Sequence, residues 1–172
     1  MYSPARVSWV KGGGRGSRLP CPAGTVLPAY SAVRSASAQS VIIGDKTPEM
    51  SVRKWLMDSQ PSDAEYRCLL FYHSKSELCK QNLKIIKGLI GKYDGRINLS
   101  IITKEDYREA GVSLTEHLKE YIGVAFDDNG KTFRDFGVKF IPYCIICNKK
   151  RVVWCGNAAL LNEQRLEKII TK

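Results

Sequence analysis

Apolar positions alternate between short continuous runs and helical stripes from about residue 67 onward. Cys68, Leu69, Leu70, Phe71 and Tyr72 form an unbroken run of strand length within 67–73. Ser74 follows, with Glu77 three residues on, the spacing of a capping box. Leu78, Leu83, Ile85, Ile86, Leu89 and Ile90 then recur at helical spacing, which predicts a helix over 75–92 that closes between Gly91 and Gly95. A second strand is expected over 97–102. Residues 103–123 read as a helix with Leu114, Leu118, Tyr121 and Ile122 on one face.

A short extended piece at 123–126 leads to a turn at 127–130 and a short helix over 131–136, stopped by Gly137. Residues 138–147 read as a strand interrupted by Pro142. The Lys turn at 148–150 returns the chain into an antiparallel strand over 151–155, and Asn162 is placed to cap a last helix, 163–172. The order β-α-β-α-(α)-β-β-α implies an α/β fold, a mixed β-sheet flanked by helices on both faces.

Charge divides the chain. Residues 1–44 hold five basic residues (Arg6, Lys11, Arg15, Arg18, Arg34) and no acid, with six of the 14 glycines and four of the seven prolines. Such a segment lacks the apolar surface that offsets ordering entropy. It is expected to be a basic N-terminal extension or a mitochondrial transit peptide, with Arg34-Ser35-Ala36 as a processing neighbourhood. Half of the net charge of +10 lies there, and the domain proper is expected over 45–172. No run approaches the ~20 apolar residues of a membrane helix, so no membrane span is expected.

Several words of this sequence resemble the thioredoxin fold, and more narrowly its redoxin branch, which includes TlpA-like proteins and peroxiredoxins. Phe136-Gly137-Val138-Lys139-Phe140-Ile141-Pro142 is similar to the family's Gly-Val and Ile–cis-Pro string, and Val152-Val153-Trp154-Cys155-Gly156 to its Trp-x-Gly. Thr47-Pro48-Glu49-Met50 and Lys54-Trp55-Leu56 resemble the redoxin opening segment. The 20-odd residues between Ile102 and Gly123 also favour redoxins. The resemblance implies that Ile141, Pro142 and Tyr143 form a cis-Pro loop that binds an extended peptide.

It also implies an active site at the junction of the first strand and helix, where the family carries Cys-x-x-Cys. Here the motif is Ser-x-x-Cys: Ser76 replaces the attacking cysteine and Cys79 keeps the resolving position. A serine forms no disulfide and is not ionised by a helix end, so the two-thiol cycle cannot run between these positions. The peroxiredoxin pattern Thr/Ser-x-x-Cys would give Cys79 a catalytic use. The arginine that family sets near the cis-Pro position is missing, because Pro142 stands there. Cys144 is a possible resolving thiol for Cys79.

Cys144 and Cys147 have zinc-knuckle spacing, but in a strand they face opposite sides and no second pair accompanies them, so no metal is expected. His73 reads as structural and His117 as part of a solvated helix face. Lys149-Lys150-Arg151 is a solvated hairpin tip.

The favoured expectation is a mitochondrial protein with a degenerate active site, acting as a structural or interaction module of a larger assembly. It would use protein partners, possible RNA contact through the basic extension, and no small-molecule cofactor. The alternative is a thiol-disulfide oxidoreductase or peroxiredoxin-like enzyme using Cys79.

Overall fold

The computed structural model describes residues 40–93 and 95–171. Residues 1–39, which hold most of the basic extension and its expected processing point, lie outside the described residues. Six strands form one sheet: β1 (Lys54–Trp55), β2 (Tyr66–Phe71), β3 (Ile97–Thr103), β4 (Ile122–Phe126), β5 (Tyr143–Asn148) and β6 (Arg151–Asn157). Four α-helices accompany them: α1 (Glu77–Ile90), α2 (Tyr107–Thr115), α3 (Lys131–Asp135) and α4 (Glu163–Ile170).

The strand order is β1-β4-β3-β2-β5-β6. β2, β3 and β4 run parallel, and the other neighbouring pairs are antiparallel. Every residue of β3 is buried, as a central parallel strand covered on both faces requires. Alternate side chains divide the core. Cys68, Leu70, Leu99, Ile101, Cys144 and Ile146 pack under α1, α2 and α4. Leu69, Phe71, Ile102, Ile145 and Cys147 pack on the other face, against Phe133 and Phe136 around α3 and against Val41.

Four expectations are corrected. The helix read over 103–123 spans only Tyr107–Thr115. Asp106 caps its start by accepting from the Arg108 N–H, and a tight turn follows it, in which Lys119 and Ile122 exchange backbone hydrogen bonds of 3.1 and 3.0 Å. That turn feeds β4 directly, so Ile122 is a strand residue. Lys54–Trp55, named above only for its resemblance, is a strand, which two residues are too few to signal by their period. The strand read over 138–147 begins at Tyr143, after the cis Ile141–Pro142 peptide; proline has no N–H to give a ladder.

The packed chain also starts ahead of residue 45. Val41 is buried in the second core cluster. The Gly44 N–H donates to Val152 O at 2.8 Å, and Thr47 N–H to Lys150 O at 2.8 Å. Residues 41–44, read as the end of the extension, therefore lie against β6 and its turn.

Candidate functional site

The C-terminal ends of parallel strands β2 and β3 and the first turn of α1 meet at one edge of the sheet, where open α/β sheets carry their sites. The expected capping box is not formed. Ser76, not Ser74, caps α1: its hydroxyl accepts the Cys79 N–H at 3.3 Å. Glu77 turns outward to Lys80 at 3.6 Å. The helix begins two residues later than Ser74 capping would allow because Ser74 has another partner.

That partner is Glu105. Its carboxylate accepts from the Ser74 N–H at 2.7 Å, from the Ser74 hydroxyl, and from the Thr103 hydroxyl at 2.9 Å. His73 Nδ1 lies 3.2 Å from the same carboxylate and also 3.2 Å from the Lys75 N–H. One ring nitrogen cannot both donate to Glu105 and accept from Lys75, so the two contacts are alternatives. The Glu105 side chain is only 7% exposed. Burial pushes its carboxyl up, but the Ser74 and Thr103 hydrogen bonds and His73 outweigh this and hold it below the ordinary 4.5.

Glu105 thus fastens the β2–α1 junction to the end of β3. Its folded pKa lies below the unfolded one, so its contribution is complete above the unfolded value and is lost as pH falls through the folded value. Glu105→Gln presents an amide to donors that need an acceptor. We expect it to cost about 1–3 kcal/mol near neutral pH, and to flatten the acid limb of the stability curve. Denaturant titrations at neutral and acid pH measure both. An unchanged acid limb would place the titrating group elsewhere.

Beside this junction lies a groove of about 270 Å³. Tyr72 and His73 line one part of it, and Phe133, Val138, Phe140 and Ile141 the rest, with Lys104 and Lys139. The sequence-selected loop is therefore at the groove: Ile141 lines it, the Ile141–Pro142 bond is cis, and Tyr143 is buried just behind. Phe140 is 50% exposed and packs edge-on against Tyr143, with ring centroids 5.2 Å apart. Lys104 Nζ sits 4.3 Å over the Phe133 ring.

The cysteines are poorly placed to attack an external disulfide. Cys79 is fully buried, at 0% exposure, in the core under α1. Tyr72 is close to it: burial first, then Cys79 and Glu105, pushes the phenol up to about 12. The sulfur that Cys144 meets is that of Cys68, at 3.3 Å, with both residues buried. The Cys68 hydrogen bond, then burial, holds the Cys144 thiol well above its ordinary range, which disfavours the thiolate needed for attack. Cys147 belongs to the opposite core cluster, so the two cysteines of the 144–147 segment face opposite sides.

No family model and no curated protein matches this sequence. Solved structures do match. A thioredoxin-like protein in its oxidized form superposes with a TM-score of 0.61 at 15% identity, over 74% of this chain and 96% of that one. The thioredoxin domain of a thiol-disulfide oxidoreductase from Bacteroides vulgatus gives 0.60 at 15% identity, over 76% of this chain and 99% of that one. The C-terminal domain of an uncharacterized protein from Bacteroides fragilis gives 0.54 at 15% identity, over 76% and 98%. The chain has a thioredoxin-like fold.

In this thioredoxin-like frame the resemblance sets the attacking thiol at position 76, where the serine hydroxyl instead caps the helix. What the arrangement offers chemically is a half-buried hydroxyl at a helix N-terminus, a buried thiol, and an apolar groove rimmed by two lysines. Glu105 escaped the sequence reading, which assigned it to a helix. The signal that could have found it is its place just past the C-terminal end of a strand.

His117 is a further correction. Because α2 ends at Thr115, His117 lies in the following turn, with its side chain 19% exposed and Nδ1 3.1 Å from Lys87 Nζ. The hairpin tip, with Lys168 of α4, borders a cavity of about 1030 Å³ whose apolar lining includes Tyr66, Val153 and Ile169. No described helix is long and apolar enough to cross a membrane.

Proposed function

We propose that this thioredoxin-like domain works without thiol chemistry, as an interaction module that receives an extended segment of a protein partner in the groove beside the cis-Pro loop. The observation that carries this reading is the state of the Ser-x-x-Cys motif. Ser76 holds the first turn of α1, and Cys79 is buried beneath it. What is accessible beside the cis-Pro loop is the groove, where Phe140 stands out beside Ile141 with lysines at the rim. A half-exposed aromatic in a concave site is the kind of residue that anchors a partner side chain. The lysine rim favours a partner segment with acidic flanks.

The assembly is proposed to be mitochondrial, from the acid-free basic composition of residues 1–44. N-terminal sequencing of the native protein tests this. A start between Ser35 and Ser40 supports a removed transit peptide. A start at Met1 in a salt-sensitive complex supports a retained docking extension, with RNA or an acidic protein as its counterpart. A full-length, cytosolic and unassociated protein contradicts both.

The groove is tested by native complex size in cells that express wild type, Phe140→Asp or Cys79→Ser in place of the endogenous chain. Placing a charge on the anchor should weaken association by about tenfold or more and release free protein. Cys79→Ser should leave the complex intact. If Cys79→Ser disperses the complex and Phe140→Asp does not, a thiol enzyme is the better account. The thiol-disulfide oxidoreductase named among the similar structures makes that second reading worth testing.

A further inference from the structure

Tyr72 lines a second cavity, of about 330 Å³, beside α1 and the turn that follows α2. Its volume lies within the ordinary range of small-molecule sites. Lys80, Lys84 and Lys87 of α1 enter it from positions spaced four and three apart, so they share one helix face. Ser113 and His117 lie across from them.

Three lysines face one acid, Glu116, in the lining of the cavity. Lys80 has Glu77 at 3.6 Å. Among the described residues no carboxylate comes within ion-pair distance of Lys84 or Lys87. Glu116 is the acid in the lining, and its carboxylate turns largely to solvent, 3.7 Å from His117 Nε2. Lys87 Nζ instead meets His117 Nδ1 at 3.1 Å. A lysine ammonium has only donors, so the imidazole accepts on Nδ1 and keeps its proton on Nε2. Burial, then the adjacent Lys119, pushes Lys87 below its ordinary pKa; burial, then Lys87, does the same to His117.

Cationic groups crowded in a half-buried cavity raise the energy of the unliganded protein, and an anion placed among them removes that cost. The donors also indicate which anion. An arginine fork suits a planar carboxylate held by two parallel bonds, whereas lysine acts as a point charge and suits a tetrahedral oxyanion. This cavity has lysines and no arginine. The Tyr72 phenol, pushed up to about 12, stays protonated at neutral pH and adds a neutral donor.

We propose that this cavity binds the phosphoryl group of a small phosphorylated compound, between Lys84, Lys87 and His117. The cavity is distinct from the partner groove and shares one wall residue with it, Tyr72.

Pyrophosphate is the probe, titrated into the full chain at low salt by calorimetry and by NMR of the His117 ring. Binding with a Kd of about 1 mM or tighter is expected. Lys87→Met and Lys84→Met should each weaken it by about tenfold or more, as loss of a charge-assisted hydrogen bond implies. Lys149→Met, at the exposed rim of the hairpin cavity, should change it by less than about twofold. The His117 titration should move to higher pH when the probe is bound, because an anion beside an imidazole favours its charged form. Absence of binding, equal losses in the Lys87 and Lys149 variants, or a His117 titration indifferent to the probe would each overturn the proposal. Equal losses would mean diffuse attraction to a basic protein.

Discussion

Ser76→Cys is expected to gain a measurable disulfide-reductase activity over wild type. Wild type should not accelerate dithiothreitol-driven reduction of insulin above the uncatalysed rate, because position 76 holds a hydroxyl and Cys79 is buried. The substitution sets a thiol at the N-terminus of a 14-residue helix, where the backbone N–H groups and the helix dipole favour the thiolate. Lowering a thiol from ~8.5 to ~7 raises its thiolate fraction at neutral pH by roughly fifteenfold. The introduced thiolate attacks a substrate disulfide and forms a mixed disulfide, releasing one substrate thiolate. The Cys79 thiolate then attacks that bond and releases the second, leaving a protein disulfide that dithiothreitol reduces.

The cost is the cap. A cysteine is a poorer acceptor than serine for the Cys79 N–H, so the variant should lose about 1 kcal/mol of stability. A double variant, Ser76→Cys with Cys79→Ser, should turn over more slowly, because its mixed disulfide must then be resolved by dithiothreitol itself. Two results would be damaging. Wild-type turnover abolished by Cys79→Ser would remove the thiol-free reading. An inert Ser76→Cys would mean that this helix end and the cis-Pro loop do not address a common substrate.

What could be read from the sequence follows the length of each pattern. The run at β2 and the stripe at α1 repeat often enough to fix both type and face, and the hairpin from Tyr143 to Asn157 carries its own turn. Pro142 was legible because proline limits what a strand can do. The errors arose where two physical readings compete. Ser74 and Ser76 both fit a cap, and the choice fell to Glu105, which lies 31 residues beyond Ser74 and takes that serine for itself. Sequence spacing cannot report such a long-range competition. The 103–123 segment has apolar residues at helical spacing, yet the Lys119–Ile122 turn breaks it, and Leu118 packs against the core from outside the helix. The Ser-x-x-Cys departure is visible at once, whereas the burial that shields Cys79 from an external disulfide needs the three-dimensional packing.

Phe71→Ala should be the most damaging core substitution that also reports on the groove. Phe71 is the last residue of β2 and fully buried. Its ring meets Phe133 edge-on at 4.9 Å, Phe136 at 5.8 Å and Tyr143 at 6.4 Å between centroids. One side chain therefore ties a central strand to α3, to the residue that ends it, and to the first residue of β5 after the cis-Pro loop. Truncation removes the transfer free energy of a phenyl ring and leaves a cavity that a six-stranded sheet cannot close, for an expected loss of about 3–5 kcal/mol. Phe71→Leu should lose less, because much of the volume is kept. The consequence for binding follows from the same contacts. Phe133 lines the groove and rests against Phe71, and Phe140 leans on Tyr143. Where Phe71→Ala remains folded, both walls lose their support, and partner affinity should fall together with stability. Denaturant midpoints and binding titrations on the Ala and Leu variants measure the two effects. A stability loss below about 1 kcal/mol would mean that the aromatic cluster is not packed as described. The expected loss of stability with unchanged affinity would uncouple the groove from the core beneath it.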